Sequence, residues 1–187
     1  MQNKIRTFVC FELPPTVLEL LRSIQGRLKP LHDGTRWVNP ERIHLTLRFL
    51  GDVERERLDA VMEAVQNACK AFEPFTLTVS KTGAFPNFKR PRVFWVGVSD
   101  PDQKLQQCQA AIEGELEDIG FPGEKRAFSP HLTLGRVNNS RGVANVSKEL
   151  ERLHPEPVSF PAREVVVMQS KLTPSGAVYT PLRKIGL

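Results

Sequence analysis

The tetrapeptide His-Leu-Thr-Leu occurs twice in this chain, at His44–Leu47 and at His131–Leu134. Setting one copy over the other constrains the whole sequence. At that same offset Val9 falls on Val96, Pro14 on Pro101, Leu18 on Leu105, Leu45 on Leu132 and Leu47 on Leu134, with no gap required. Self-similarity of this kind is the mark of a duplicated supersecondary unit. A chain of 187 residues accommodates two such units in one domain or in two intimately packed lobes.

Local patterns describe the unit. "TFVCFEL" (7–13) is β-branched and aromatic enough for a strand, and Pro14-Pro15 ends it while supplying a first helical turn. In "PTVLELLRSIQGRL" the residues Val17, Leu20, Leu21, Ile24 and Leu28 recur at helical spacing. A short strand around "TRWV" leads to "RIHLTLRFLG", and Leu58, Val61, Met62, Val65, Ala68 and Cys69 predict a second helix. "FTLTVSKTGAF" and "RVFWVGVS" read as strands joined by "PNFKRPR". The pattern then restarts: "PDQKLQQCQAAIEGELEDIG" matches the first helix, "NVSKELERL" the second, and "REVVVMQSKL" takes the place of "FTLTVSKTG".

Side chains alternate along a strand, so His44 and Thr46 share one face with Arg48, while Ile43, Leu45, Leu47 and Phe49 are expected on the other. His131 and Thr133 pair in the same way. Each strand then presents an imidazole and a hydroxyl about 7 Å apart. If a pseudo-twofold axis relates the halves, both pairs face one cleft. Two imidazoles flanking a bound group can serve as base and acid, because histidine titrates near neutrality. That pairing suits cleavage of a phosphodiester, with threonine hydroxyls and an arginine holding the non-bridging oxygens.

A single histidine on a strand is ordinarily a hydrogen-bonded core residue; two in register on the face opposite the leucines point to shared chemistry. His32 and His154 have no partner motif and read as surface or helix-end residues. A metal is not expected, since the neighbours two residues on are threonines rather than ligands. No nucleophile elbow surrounds any serine or cysteine. The three cysteines are far apart and read as reduced thiols. The amino terminus meets Glu12 and two prolines before an apolar run reaches membrane length, which reads as a cytoplasmic protein. A formal charge of +5 favours an anionic partner, but its lysines and arginines are spread along the whole chain.

"RWVNPERIHLTLRFLGDV", "GAFPNFKRPRVFWVGV" and "FSPHLTLGRV" resemble the two-histidine phosphoesterase superfamily, and within it the LigT-like RNA 2′,3′-cyclic phosphodiesterases, long described as 2′-5′ RNA ligases. The resemblance implies an α+β fold: bilobal, built from duplicated β-α-β units with pseudo-twofold symmetry, antiparallel sheets lining a central cleft and helices outside. It implies one domain over residues 1–187, with units of approximately 6–90 and 91–187. The implied substrate is an RNA ending in a 2′,3′-cyclic phosphate, tRNA fragments and short oligonucleotides included, opened to a 2′-phosphomonoester without metal or other cofactor. A monomer with no membrane partner is expected. Carried over by motif, His44 is the acid toward the 3′ oxygen, His131 the base toward water, Thr46 and Thr133 phosphate ligands, and Arg136 a further cationic ligand at the family's spacing.

Strict alternation puts Arg136 on the wrong face unless the strand twists, bulges or ends at Gly135, whereas Arg48 has the right parity. Both are kept as phosphate ligands, Arg136 preferred. "FPNFKRPR" offers Phe85, Phe88, Lys89, Arg90 and Arg92 for base stacking and phosphate contact, or else core and solvated loop. Trp37 is either core or a wall of the cleft mouth. Two other functions fit the motifs: the reverse, ligase reaction, and an RNA-end binding module with no catalysis.

Overall fold

The computed structural model describes residues 3–31, 34–139, 142–174 and 176–187; the expectation for His32 lies outside them. Strand β1 (Lys4–Phe11) alternates, with Val9 and Phe11 in the main core and Phe8 and Cys10 in a small cluster on the opposite face. Pro15 opens α1 (Pro15–Leu28), whose buried Val17, Leu21, Ile24 and Leu28 follow the helical period. Then come β2 (Thr35–Trp37), β3 (Leu45–Glu54), α2 (Leu58–Cys69), β4 (Phe75–Phe85) and β5 (Val93–Ser99). The rest comprises α3 (Lys104–Asp118), β6 (His131–Val137), α4 (Val143–Arg152), β7 (Val158–Ala162), β8 (Glu164–Thr173) and β9 (Gly176–Gly186).

The sequence patterns did not predict β7 and β9, which carry Pro161 and Pro181. Both are edge strands, where a missing N–H breaks no ladder on the open side. His154 lies exposed in the link between α4 and β7.

The strands form two antiparallel sheets, ordered β3-β1-β8-β9 and β2-β6-β5-β4-β7. Each histidine-bearing strand, β3 or β6, pairs with the first strand of its own half, β1 or β5. The next strand comes from the other half: β8 beside β1, and β4 beside β5. The halves therefore exchange strands reciprocally.

Helices cover the outer faces. α2 packs on β8 and β9, and α3 on β3. On the other sheet, buried Gln25 of α1 donates through Nε2 to the carbonyls of Val38 and Leu134, at 2.7 and 3.0 Å. Thr82 Oγ1 of β4 donates to the Leu150 carbonyl of α4 at 2.7 Å. The inner faces line a central cleft. Cys10, Cys69 and Cys108 are free, buried thiols. No helix among the described residues is long and apolar enough to cross a membrane.

The ladders correct the gapless superposition. Cys10 lies opposite Thr46, but Trp95, not Gly97, lies opposite Thr133. The first strands are thus slipped by two residues relative to the motif offset. An even slip leaves every side chain on its face, so the repeat tolerates it.

Candidate active site

His44 stands at the entrance to β3 and His131 is the first residue of β6. Each imidazole is tethered alike: Nδ1 donates to the backbone carbonyl two residues earlier, Arg42 at 3.2 Å for His44 and Ser129 at 2.7 Å for His131. A carbonyl only accepts, so each Nδ1 carries the proton and each Nε2 is the unprotonated nitrogen of the neutral ring. Aromatic walls hold the rings. His44 stacks on Phe8, with centroids 4.5 Å apart and 26° between planes, and meets Tyr179 edge-on at 5.0 Å. His131 meets Phe85 edge-on at 5.0 Å, with Trp95 at 6.4 Å.

Burial pushes His44 down to about 4, against the opposing effect of its bond to the Arg42 carbonyl. Tyr179, the chain's only tyrosine, is pushed up by burial while Arg42, Arg136 and Arg6 act in the opposite direction. Arg136 belongs to the second sheet and Tyr179 to the first, so its influence on that phenol crosses the cleft. A cavity of about 380 Å³ adjoins His44, lined among others by Glu12, Arg42, Met168, Tyr179 and Pro181.

Thr46 and Thr133 are half-buried and keep the parity of their histidines. Beyond each threonine the ladder shifts. Thr46 pairs with Cys10 but Arg48 with Val9, and Thr133 pairs with Trp95 but Gly135 with Phe94. One extra residue, Leu47 or Leu134, is accommodated on the motif strand, so both strands bulge at the same motif position. The bulge reverses parity for the residues just beyond it; in β3 a second shift at Leu50 restores it, since Phe8 pairs with Phe49 but Thr7 with Gly51.

Arg48 is therefore turned away from the cleft, contrary to the alternation argument. It is 5 % exposed, sits 3.2 Å from Glu113 and 3.4 Å from Glu124, and donates to the Pro122 carbonyl. These bonds tie β3 to α3 and the segment after it. Phe49, expected in the core, is instead on the cleft side, 42 % exposed, with the Arg6 guanidinium 4.6 Å above its ring. The same reversal in β6 brings Arg136 onto the face of His131 and Thr133. Its ladder neighbours are Arg36 on β2 and Val93 on β5.

Of the remaining candidates, Trp37 stacks on core Phe94 at 6.3 Å and 16°, so its ring packs rather than lines the mouth. Phe85 walls His131. Phe88 is packed against the core, while Lys89 and Arg90 are exposed in a turn whose backbone N–H groups both donate to Asn87 Oδ1. Arg92 is exposed one residue before Val93, on the alternate side.

Phe8, Trp95, Tyr179 and Arg36 were not among the sequence candidates. Alternation along β1 and β5 places Phe8 and Trp95 on the motif face and could have flagged them; Tyr179 lies in a strand that its proline concealed. Among the described residues no group of three or more His, Cys, Asp or Glu side chains converges as a metal site.

The model of the LigT-like phosphoesterase family matches the chain twice in tandem, over residues 11–95 and 96–179. A protein of Methanothermobacter thermautotrophicus named RNA 2′,3′-cyclic phosphodiesterase is 34% identical over 96% of this chain and 97% of its own length. A solved structure from Thermus thermophilus superposes with a TM-score of 0.81 at 27% identity, covering 98% of both chains. Escherichia coli LigT complexed with 3′-AMP superposes at 0.78 with 25% identity, again over 98% of both.

Proposed function

Since this chain belongs to the LigT-like phosphoesterase family, we propose that it hydrolyses the 2′,3′-cyclic phosphate at the end of an RNA to a 2′-phosphomonoester. The observation that carries this reading is the matched pair of imidazoles, each with Nδ1–H bound to backbone and Nε2 free for proton transfer. His131 Nε2 takes a proton from water as the water oxygen bonds to phosphorus. His44 Nε2 gives a proton to the 3′ oxygen as the phosphorus–O3′ bond breaks. Thr46 and Thr133 donate to the non-bridging oxygens, and Arg136 adds positive charge where the transition state gathers negative charge. Proton transfer and cationic ligands supply what the step needs, so no metal is invoked.

Burial lowers His44 to about 4, so its imidazole is neutral at neutral pH. The acid role therefore requires the substrate's own negative charge, which favours the imidazolium when it lies against the ring. Substrate binding and protonation of His44 are thus linked.

The test is to incubate wild type and His131→Ala with a short RNA ending in a 2′,3′-cyclic phosphate, chelator present, and to identify the product isomer. The expected outcome is a 2′-phosphate whose rate of formation falls by about 10²- to 10⁴-fold in the variant, the worth of a general base. A folded His131→Ala protein at the wild-type rate overturns the mechanism. An uncleaved but bound cyclic phosphate in wild type overturns the activity in favour of an RNA-end binding module.

A further inference from the structure

Arg36 has no place in the chemistry above, yet the fold holds it firmly. Strand β2 is only Thr35–Trp37, and each outer residue is locked on the core side. Trp37 stacks on Phe94, and a Cβ on Gly135 would run into Thr35 and Trp37, so these two side chains use the space that the glycine leaves. The backbone is pinned next door: Val38 N–H donates to the Leu134 carbonyl at 2.9 Å, and the Val38 carbonyl accepts from Gln25. Alternation then leaves Arg36, exposed, on the cleft face.

There it lies directly opposite Arg136 in the ladder. Like charges in that relation destabilise a strand pair. Among the described residues neither arginine is ion-paired to a carboxylate, in contrast to Arg22, Arg27 and Arg48. Cross-strand neighbours place their Cβ atoms about 4.5–5.5 Å apart, so the two guanidinium groups address adjacent positions on one ligand. An anion spanning them offsets the repulsion and suits the planar donor fork of arginine. Arg136 acts across the cleft on Tyr179 beside His44, whereas Arg36 lies one strand further out, on the sheet edge.

Resting on the reading of this cleft as an RNA phosphodiester site, we propose that Arg36, next to Arg136 at the reacting phosphate, forms a second anion subsite. It holds the internucleotide phosphate immediately 5′ to the reacting end, so the RNA chain leaves the cleft across β2 rather than over the Pro86–Arg92 loop. The enzyme then distinguishes an oligonucleotide end from a lone cyclic nucleotide by this contact.

The experiment is calorimetric binding, independent of turnover, of a nucleoside 3′-monophosphate and of the dinucleotide that extends it by one 5′ linkage. Wild type is expected to bind the dinucleotide about tenfold more tightly, the worth of a charge-assisted hydrogen bond. Arg36→Ala should erase that advantage and lower the slope of log affinity against log salt by about 0.7 for the dinucleotide. Arg36→Lys should restore part of it. A dinucleotide advantage that survives Arg36→Ala, or that disappears in a Lys89→Ala/Arg90→Ala variant instead, overturns the subsite and leaves the cleft reading standing. Equal weakening of both ligands by Arg36→Ala also overturns it. If wild type binds neither nucleotide, the phosphodiester reading fails and the subsite with it.

Discussion

His44 and His131 share a backbone tether but not an environment. His44 lies between Phe8 and Tyr179, and burial there lowers its affinity for a proton to about 4. The unfolded chain, with an ordinary histidine near 6.5, binds the proton more tightly than the folded one. Folding is thus favoured by this group at pH above 6.5, and that contribution is lost as the pH falls toward 4. Its size is about 3 kcal/mol. Urea unfolding of wild type should show stability rising between these two pH values, with most of that rise absent in His44→Gln. A second measurement isolates the linkage to ligand: by NMR, the His44 midpoint should move up when inorganic phosphate is added, and an unmoved midpoint would remove the basis for its acid role. His44, Thr46, His131 and Thr133 were legible because repetition singles them out. Alternation along β1 could have flagged Phe8 beside them, whereas Tyr179 lies in a strand that Pro181 conceals.

A strand is read by its period of two, and both motif strands break that period just after the threonine. Three assignments turn on the break: Arg48 goes to Glu113 and the outside, Phe49 to the cleft, and Arg136 to the face of His131 and Thr133. Gly135 is where the second bulge meets β2, since a Cβ there would press on Thr35, Trp37 and the Arg36 carbonyl. Gly135→Ala is therefore expected to cost about 1–3 kcal/mol by overpacking and to lower turnover by displacing the neighbouring Arg136. Denaturant melts and initial rates check the two effects separately. The sequence contained a hint, a glycine immediately after His-Leu-Thr-Leu, but nothing local separates a bulge from a strand end. The first copy bulges with Arg48 at the corresponding position, so glycine is not what the bulge requires.

At the scale of the molecule, the reciprocal exchange makes the halves dependent on each other. Residues 1–90 alone would leave β1 without β8 and β4 without β5, each with an unpaired edge and an uncovered apolar face. The fragment should show no cooperative unfolding transition. The intact chain should unfold in one step, with far-ultraviolet dichroism and the fluorescence of Trp37 and Trp95 coincident. A folded fragment would refute the dependence. What the sequence by itself determined is the repeat, the helices and most strands, and the two His-x-Thr pairs, because periodicity and in-register repetition are local properties that survive without coordinates. Tertiary structure alone decided which half lends β4 and β8 to which sheet, which arginine faces the cleft, and that Arg36 stands beside Arg136. Those outcomes depend on strand pairing between residues far apart in the chain, and on single-residue bulges that invert the side chains immediately beyond them.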